Sequence, residues 1–362
     1  MSRRAIPVKF PAAGVVRRQG VHQEGRREPF PAVWSMNTRL EDGLTNRLRG
    51  GSFTGISAGT RPSSIVYRDR TLTFSDNAVT ASRVGDSTDT SLSSDVSDMM
   101  RATLFQFSEA DATGEDVVAL VPHKDQFLLG FAASETWVQQ GDPLSGPRRR
   151  VSDQVGIIGA DAWCVVHDKV FFLSSRGLYS VGVDGSGLEA ISEDVLPEDL
   201  IGVTDSTCTL TYQHSDRGVY IHHTGTNWFY DVERKGFWPF DTDTTDSHVL
   251  MGPFQLGQAG NYGRVLKLHG TIAIGSANVN WRLVIADTAE EAAANGKSAI
   301  EAVIAGSTGF QYVGSRGKWS AGRAHLSYPR DRAAWCCLWL HSEGEWAYES
   351  VRLTAKLSGT WR

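Results

Sequence analysis

The 362-residue chain is 41% apolar and 21% charged, which allows a large core and excludes a disordered polypeptide. Its 37 glycines and 10% aromatic residues, with long Ala/Leu/Glu/Lys stretches nearly absent, favour short strands and tight turns. The formal charge of -5 is mild, and no uninterrupted apolar run approaches the roughly 18 residues of a spanning helix.

That charge is unevenly placed. Residues 1–60 carry Arg3, Arg4, Lys9, Arg17, Arg18, Arg26, Arg27, Arg39, Arg47 and Arg49 against only Glu24, Glu28, Glu41 and Asp42. With Pro7, Pro11, Pro29 and Pro31 and no sustained period of 2 or 3.6, this stretch reads as an extended basic arm, ordered by a partner or left as a floppy tail. Its opening, MSRRAIPVKFPAAGVVRRQG, is basic but lacks the apolar core of a secretion signal, so the chain is expected to be made and kept in the cytosol unless something carries it out. The following fifty or so residues lean acidic, with Asp69, Asp76, Asp86, Asp89, Asp95, Asp98, Asp111 and Asp116 among them. A basic arm on an acidic body predicts contact with a neighbouring acidic surface or with nucleic acid.

From Ser64 a repeated pattern begins: a polar turn, a β-branched or aromatic run, Gly or Ser punctuation, and another run. The turns fall at Asp69 in YRDRTLTFSDNAVTAS, Asp125 in HKDQFLLGFAASETWV, Asp168 in HDKVFFLSSRGLYSV, Asp216 in HSDRGVYIHHTGTNWFYDV, and near Gly263 in GNYGRVLKLHGTIAIG. The last four lie 43, 48 and about 47 residues apart, which matches the four-stranded blade of a β-propeller. One such unit cannot cover both faces of its sheet, so it must stack on neighbours. The expectation is an all-β chain: the basic arm over 1–60, a propeller of about five blades over 61–290, and a C-terminal β region over 291–362.

The segment ADTAEEAAANGKSAIEAVIAG has helix-like composition and reads either as a short helix or as a polar loop before a strand. Beyond it, AWCCLWLHS and YESVRLTAKLS alternate, with turns at YPRDR and SEGE, as in a small sandwich or a final sheet. Cys336 and Cys337 should face opposite sides of a strand, one core and one non-core. With Cys164 and Cys208 they form no CxxC pair.

Candidates for chemistry are few. His222 and His223 are adjacent and diverge on a strand. Asp241, Asp243 and Asp246 are close together but lack the glycine and downstream glutamate of a calcium loop. GVDGSG at Gly182 to Gly187 opens no helix and reads as a hairpin turn instead of a phosphate cradle. Glu135, Asp142 and Glu189 would serve a glycosidase if two of them lay about 5 to 9.5 Å apart. No GxSxG or Ser/His/Asp set is evident. Trp137, Trp163, Trp228, Trp238, Trp281, Trp319, Trp335, Trp339 and Trp346 lie mostly in strand-like runs, where core packing is expected. The reading is of a non-enzyme with no cofactor and no metal.

FLLGFAASETWVQQGDP, followed by VSDQVGIIGADAWCVVHDKVFFLSSRGLYSVGVDGSGLEAISEDVLPEDL, resembles the β-propeller tail hub or nozzle proteins of short-tailed bacteriophages, also called head-completion or DNA-stabilisation proteins. SETWVQ, the GIIG turn, the hairpin KVFFLSSRGLYSV and the acidic stretch Ile191 to Leu200 carry the likeness, and MNTRLEDGLTNRLRGGSFTGISAG resembles that family's N-terminal segment. The likeness covers roughly residues 34–240, and Gly51-Ser52-Phe53-Thr54 stand where the family often has a proline before the glycine.

The resemblance implies a ring of identical subunits, usually six, mounted in the virion tail below the portal and adaptor and assembled in the host cytoplasm. Such a ring extends and closes the DNA channel and anchors tail fibres or spikes. Viral DNA would pass its lumen without sequence-specific binding, aided by an acidic wall that repels phosphates. Arg17, Arg18, Arg26, Arg27, Arg47 and Arg49 would then pair with acidic faces of the adaptor or of a neighbouring subunit. The rival readings are a carbohydrate-binding or carbohydrate-cleaving propeller, and a propeller acting as a monomeric interaction platform.

Overall fold

The computed structural model describes residues 64–107, 115–193, 195, 199–224, 227–241, 246–257, 261–307, 314–322 and 324–360, together with the backbone of four short N-terminal strands. Among the described residues the chain is all-β with one helix, and it divides into two compact units. A repeat unit takes residues 57–214 and 219–225, and a mixed unit takes 1–56, 215–218 and 226–362.

The N-terminal strands are β1 (Arg3–Val8), β2 (Trp34–Met36), β3 (Thr38–Leu40) and β4 (Leu48–Gly50). Sheets of four consecutive antiparallel strands follow. The first is β5 (Ser64–Tyr67), β6 (Arg70–Ser75), β7 (Ala78–Ala81) and β8 (Thr103–Gln106). The second is β9 (Ala119–His123), β10 (Phe127–Phe131), β11 (Thr136–Gln140) and β12 (Arg148–Ser152), and the third is β13 (Trp163–Val166), β14 (Lys169–Ser174), β15 (Gly177–Gly182) and β16 (Glu189–Ala190). The division between units falls within the fourth, made of β17 (Thr209–Gln213), β18 (Gly218–His222), β19 (Asn227–Asp231) and β20 (Gly236–Phe240).

Burial in the repeat unit follows from stacking. The first sheet sends Tyr67, Leu72, Val79, Ala81 and Phe105 against Val117, Leu120, Leu128 and Trp137 of the second, while Ser64, Val66, Thr73 and Leu104 on its opposite face are exposed. The third sheet differs because both its faces are covered. Phe172 meets Phe131 of the second sheet at 4.8 Å, and β17 packs along β13. Its run Val170 to Leu173 is therefore apolar without alternation, as a strand buried on both sides must be. Gly130 permits the first sheet's close approach, since a Cβ there would lie 2.5 Å from the Phe107 ring.

The mixed unit begins with β21 (Ser247–Gln255), β22 (Asn261–Ile272) and β23 (Val279–Ala286). After these come α1 (Ala289–Ile304), β24 (Arg316–Trp319), β25 (Ala324–Ser327), β26 (Arg332–Ala333), β27 (Trp335–Ser342) and β28 (Trp346–Thr360). One sheet runs β2-β21-β27-β23-β24, the other β25-β22-β28-β4-β3, with β1 added to β28 and β26 to β22. Three of the four N-terminal strands thus pair with strands far along the chain, and β3 extends the sheet through β4, which local sequence could not announce. Gly263, counted as a fifth turn, lies inside β22, where a Cβ would strike the Leu256 carbonyl oxygen at 2.1 Å.

The alanine-rich segment is a helix. Thr288 caps it by accepting the Glu291 backbone N–H at 3.1 Å, and Glu290 and Glu291 suit the positive end of its dipole. Ala292, Ala299 and Ile300 pack on Leu250, Val284, Cys337 and Trp339, and Gly296 lets the helix sit close over Leu250. The divergence of the adjacent cysteines does not leave one of them outside the core. Cys337 lies under the helix, Cys336 points the other way, and both are fully buried because this sheet is covered on both faces.

Candidate functional site

The recurrent aspartate turns are where the sheets of the repeat unit clasp one another. Their backbone is left-handed at Arg68 and Asp69 (φ 52° and 56°), at Lys124 and Asp125 (47° and 52°) and at His167 (55°). This region matches the twist of a tight hairpin and is tolerated best by short polar side chains. The carboxylates of Asp125 and Asp168 are then engaged by the preceding sheet. Asp125 Oδ1 accepts the Arg68 backbone N–H at 2.8 Å, and Asp168 Oδ1 lies 3.3 Å from Lys124 Nζ and 3.7 Å from His123 Nε2. His167 meets Tyr212 edge-on at 6.3 Å. His167, Asp168 and Lys169 thus form a turn that sets the register between sheets. The exposed Lys124–Asp168 pair is worth at most about 1 kcal/mol.

Deeper contacts reinforce the clasp. Tyr67 donates its hydroxyl to the Gly141 carbonyl at 2.9 Å, and burial pushes its phenol up to about 12. Arg149 Nη2 donates to the carbonyls of Asp184 and Gly185 at 3.3 and 3.2 Å. Arg70 is wholly buried: Nη1 donates to Ser82 O and Arg101 O, both at 2.7 Å, Nη2 donates to Met99 O at 3.1 Å, and Nε lies 3.5 Å from Asp142 Oδ2. A single guanidinium therefore ties the long β7–β8 connection both to its own sheet and to the second.

That connection runs from Ser82 to Ala102, whereas its equivalents in the next two sheets span only 141–147 and 183–188. Asp86 Oδ1 accepts from Thr88 Oγ1 at 2.7 Å, Asp95 Oδ1 from Ser97 Oγ at 2.6 Å, and Asp98 Oδ2 from Arg83 Nη1 at 2.6 Å. These bonds hold all three carboxyls below the usual range. Leu92, Val96, Met99 and Met100 are 60%, 76%, 59% and 57% exposed, an unusual density of apolar side chains on one loop.

The carboxylates considered for glycosidase chemistry each have a different partner. Asp142 faces Arg70, exposed Glu189 lies 3.5 Å from Lys169 Nζ, and Glu135 accepts from Trp137 Nε1 at 2.9 Å. Glu135 does share a small pocket with Glu115, which the sequence did not single out. Ser134 donates to Glu115 through its backbone N–H at 2.7 Å and its hydroxyl at 2.6 Å. The cavity volume of about 10 Å³ is at the lower limit for one water and far below that of a sugar ring.

The other candidates take structural places. GVDGSG is the β15–β16 turn, with Asp184 Oδ1 accepting from Ser186 N and Oγ. His222 ends β18, and burial lowers its pKa. Asp246 is raised by burial and by Glu343, and Asp243 lies outside the described residues. Among the described residues no three His, Cys, Asp or Glu side chains stand where they would hold a metal ion. Seven of the nine named tryptophans are buried, while Trp163 and Trp335 are half-buried. Arg17, Arg18, Arg26, Arg27 and Arg47 lie outside the described residues. The backbone of Arg49 is on β4, opposite Ala347 and Arg39.

One cluster in the mixed unit had no sequence signal. His248 and His341 stack at 5.3 Å from facing positions of β21 and β27, Trp339 Nε1 donates to His248 Nδ1 at 3.3 Å, and the Arg282 guanidinium lies 4.5 Å over Trp339. Burial, His341 and Arg282 depress His248 to about 3, and burial and Arg282 depress His341 to about 4.

No protein-family profile and no curated protein matches this chain. Among solved structures, it is 9% identical to the extracellular domain of a hybrid two component system from B. thetaiotaomicron, covering 57% of this chain and 27% of that one at a TM-score of 0.34. A second such domain from the same organism gives 9% identity, 68% and 30% coverage, and a TM-score of 0.32. The AfRom2 CNH domain gives 8%, 82% and 78%, and 0.29. The chain thus spans less than a third of the first two, and no helix among its described residues is long and apolar enough to cross a membrane.

Proposed function

We propose that this chain is a structural assembly protein, a subunit of the tail nozzle or hub ring of a short-tailed bacteriophage. Its four-stranded sheets would be blades of a β-propeller of about five. The observation that supports this most is the clasp: the residues conserving the repeat across sheets are spent on joining one sheet to the next. Asp125 and Asp168 serve register, and Arg70 serves packing. The likeness of residues 34–240 to that family points the same way. In this role the ring sits below portal and adaptor in the virion, extends and closes the DNA channel, and carries fibres or spikes. It is assembled in the host cytoplasm and needs neither cofactor nor metal.

The carbohydrate reading has less behind it, because the pocket among the described residues that joins Glu115 and Glu135 to Trp137 has room for about one water. The test is mass measurement and negative-stain microscopy of the purified full chain. A closed ring of identical subunits that binds a portal–adaptor complex is expected, and a monodisperse monomer indifferent to that complex would refute the proposal.

A further inference from the structure

The β7–β8 connection spends exposed apolar surface without an occupant in the chain as described. It is long for its place, yet it is built firmly: Arg70 holds three of its carbonyls from the core, and aspartate turns fix its course. Long connections without secondary structure in a compact unit are usually functional. Leu92 bridges to Ala102 and so joins the edge of the sheet, while Val96, Met99 and Met100 complete an apolar crest. Methionines on such a crest adapt to a partner's shape at little cost.

The flanks of the crest carry Asp86, Asp89 and Asp95, exposed or half-exposed. The complementary charge lies in this chain's own sequence, since residues 1–60 hold ten cations against four anions. We infer that the β7–β8 connection is a docking surface for a second copy of this chain, the crest meeting apolar surface and the aspartates meeting the arginine-rich N-terminal segment of that copy. The contact is heterologous, joining different surfaces of two subunits, which is the kind that generates rings. This deepens the nozzle reading and rests on it for the expectation that the ring closes.

The test is sedimentation velocity and light scattering of the full chain in three forms. Val96→Lys with Met99→Lys removes the crest and opposes the arginines. Asp86→Asn with Asp89→Asn and Asp95→Asn removes three charges while leaving an oxygen to cap each turn. Ile274→Lys, at a site 92% exposed in the mixed unit, is the control. The expected result is self-association weakened at least tenfold in the first two variants and unchanged in the control. Wild-type association should also weaken between 0.1 and about 0.5 M salt, as exposed charge pairs are screened. Circular dichroism should be unchanged in all three. If the wild type forms rings and the loop variants do too, the docking inference falls and the nozzle reading stands. If the wild type is a monomer throughout, both fall.

Discussion

Acidification should loosen the mixed unit through His248 and His341. Both imidazoles are held neutral in the fold, at about 3 and about 4, while in the unfolded chain each takes up a proton near the ordinary value of about 6.5. Below that value the unfolded state binds more protons than the folded one. The stability these residues allow is therefore complete above pH 6.5 and is lost progressively as pH falls towards the folded values. At 1.36 kcal/mol per unit, the step from about pH 6.5 to pH 5 costs roughly 2 kcal/mol for His248, which is 1% exposed. Half-buried His341 adds roughly 1 kcal/mol once screening by solvent is allowed for.

The assay is urea unfolding at pH 7.5 and pH 5, followed by tryptophan fluorescence, for the wild type and for His248→Gln with His341→Gln. Glutamine keeps an acceptor for Trp339 Nε1 but does not titrate. The wild type should lose about 3 kcal/mol more than the double variant across this interval. Equal losses in the two proteins, or imidazole NMR signals of the native state titrating near pH 6.5, would refute the reasoning.

Three further outcomes follow from the repeat unit. Arg70→Met should cost about 3 kcal/mol in urea unfolding, because Ser82, Met99 and Arg101 carbonyls and Asp142 lose a buried donor together, and proteolysis within 83–101 should accelerate. Gly130→Ala should cost about 1–3 kcal/mol in the same measurement, since its methyl would occupy space held by the buried Phe107 ring. Asp168→Ala should cost less than about 1 kcal/mol, and a larger loss would mean that the clasp is more than a register device.

The repeat was legible because its units are local. A hairpin announces itself by a polar turn between apolar runs, and Asp69, Asp125 and Asp168 all sit at real turns. The turn placed near Gly263 was off for a physical reason: Gly263 lies inside β22, just after the β21–β22 connection, and a glycine demanded by close backbone approach has the same letter as one demanded by a turn. The mixed unit was opaque because its sheets join β1 to β28 and β2 to β21, and nothing in a six- or three-residue strand names a partner about 210 to 350 residues away. His248 and His341 were invisible for the same reason, since each is unremarkable in its own segment and only the pairing of β21 with β27 stacks them. Glu115 gave no signal either, as its neighbours carry no motif.

The causes of most of the shifted ionisations are burial and local turn geometry. Catalytic sites shift pKa values by setting a titratable group in a cleft against a chosen charge, so that it changes state near the working pH. Many of the shifted groups fall into two other sets, while Asp98 is lowered by Arg83 and Asp246 is raised by burial and Glu343. Tyr67, Cys208, His248 and His341 move because packing takes them out of water, and each moves away from neutrality, into an inert form. Asp86, Asp95, Asp184 and Asp205 move because a nearby serine or threonine donates to them in a turn, which keeps them ionised and spent on local geometry. In both sets the polar chemistry fixes local shape, since the buried groups stay uncharged and the turn carboxylates stay ionised as pH drifts around 7.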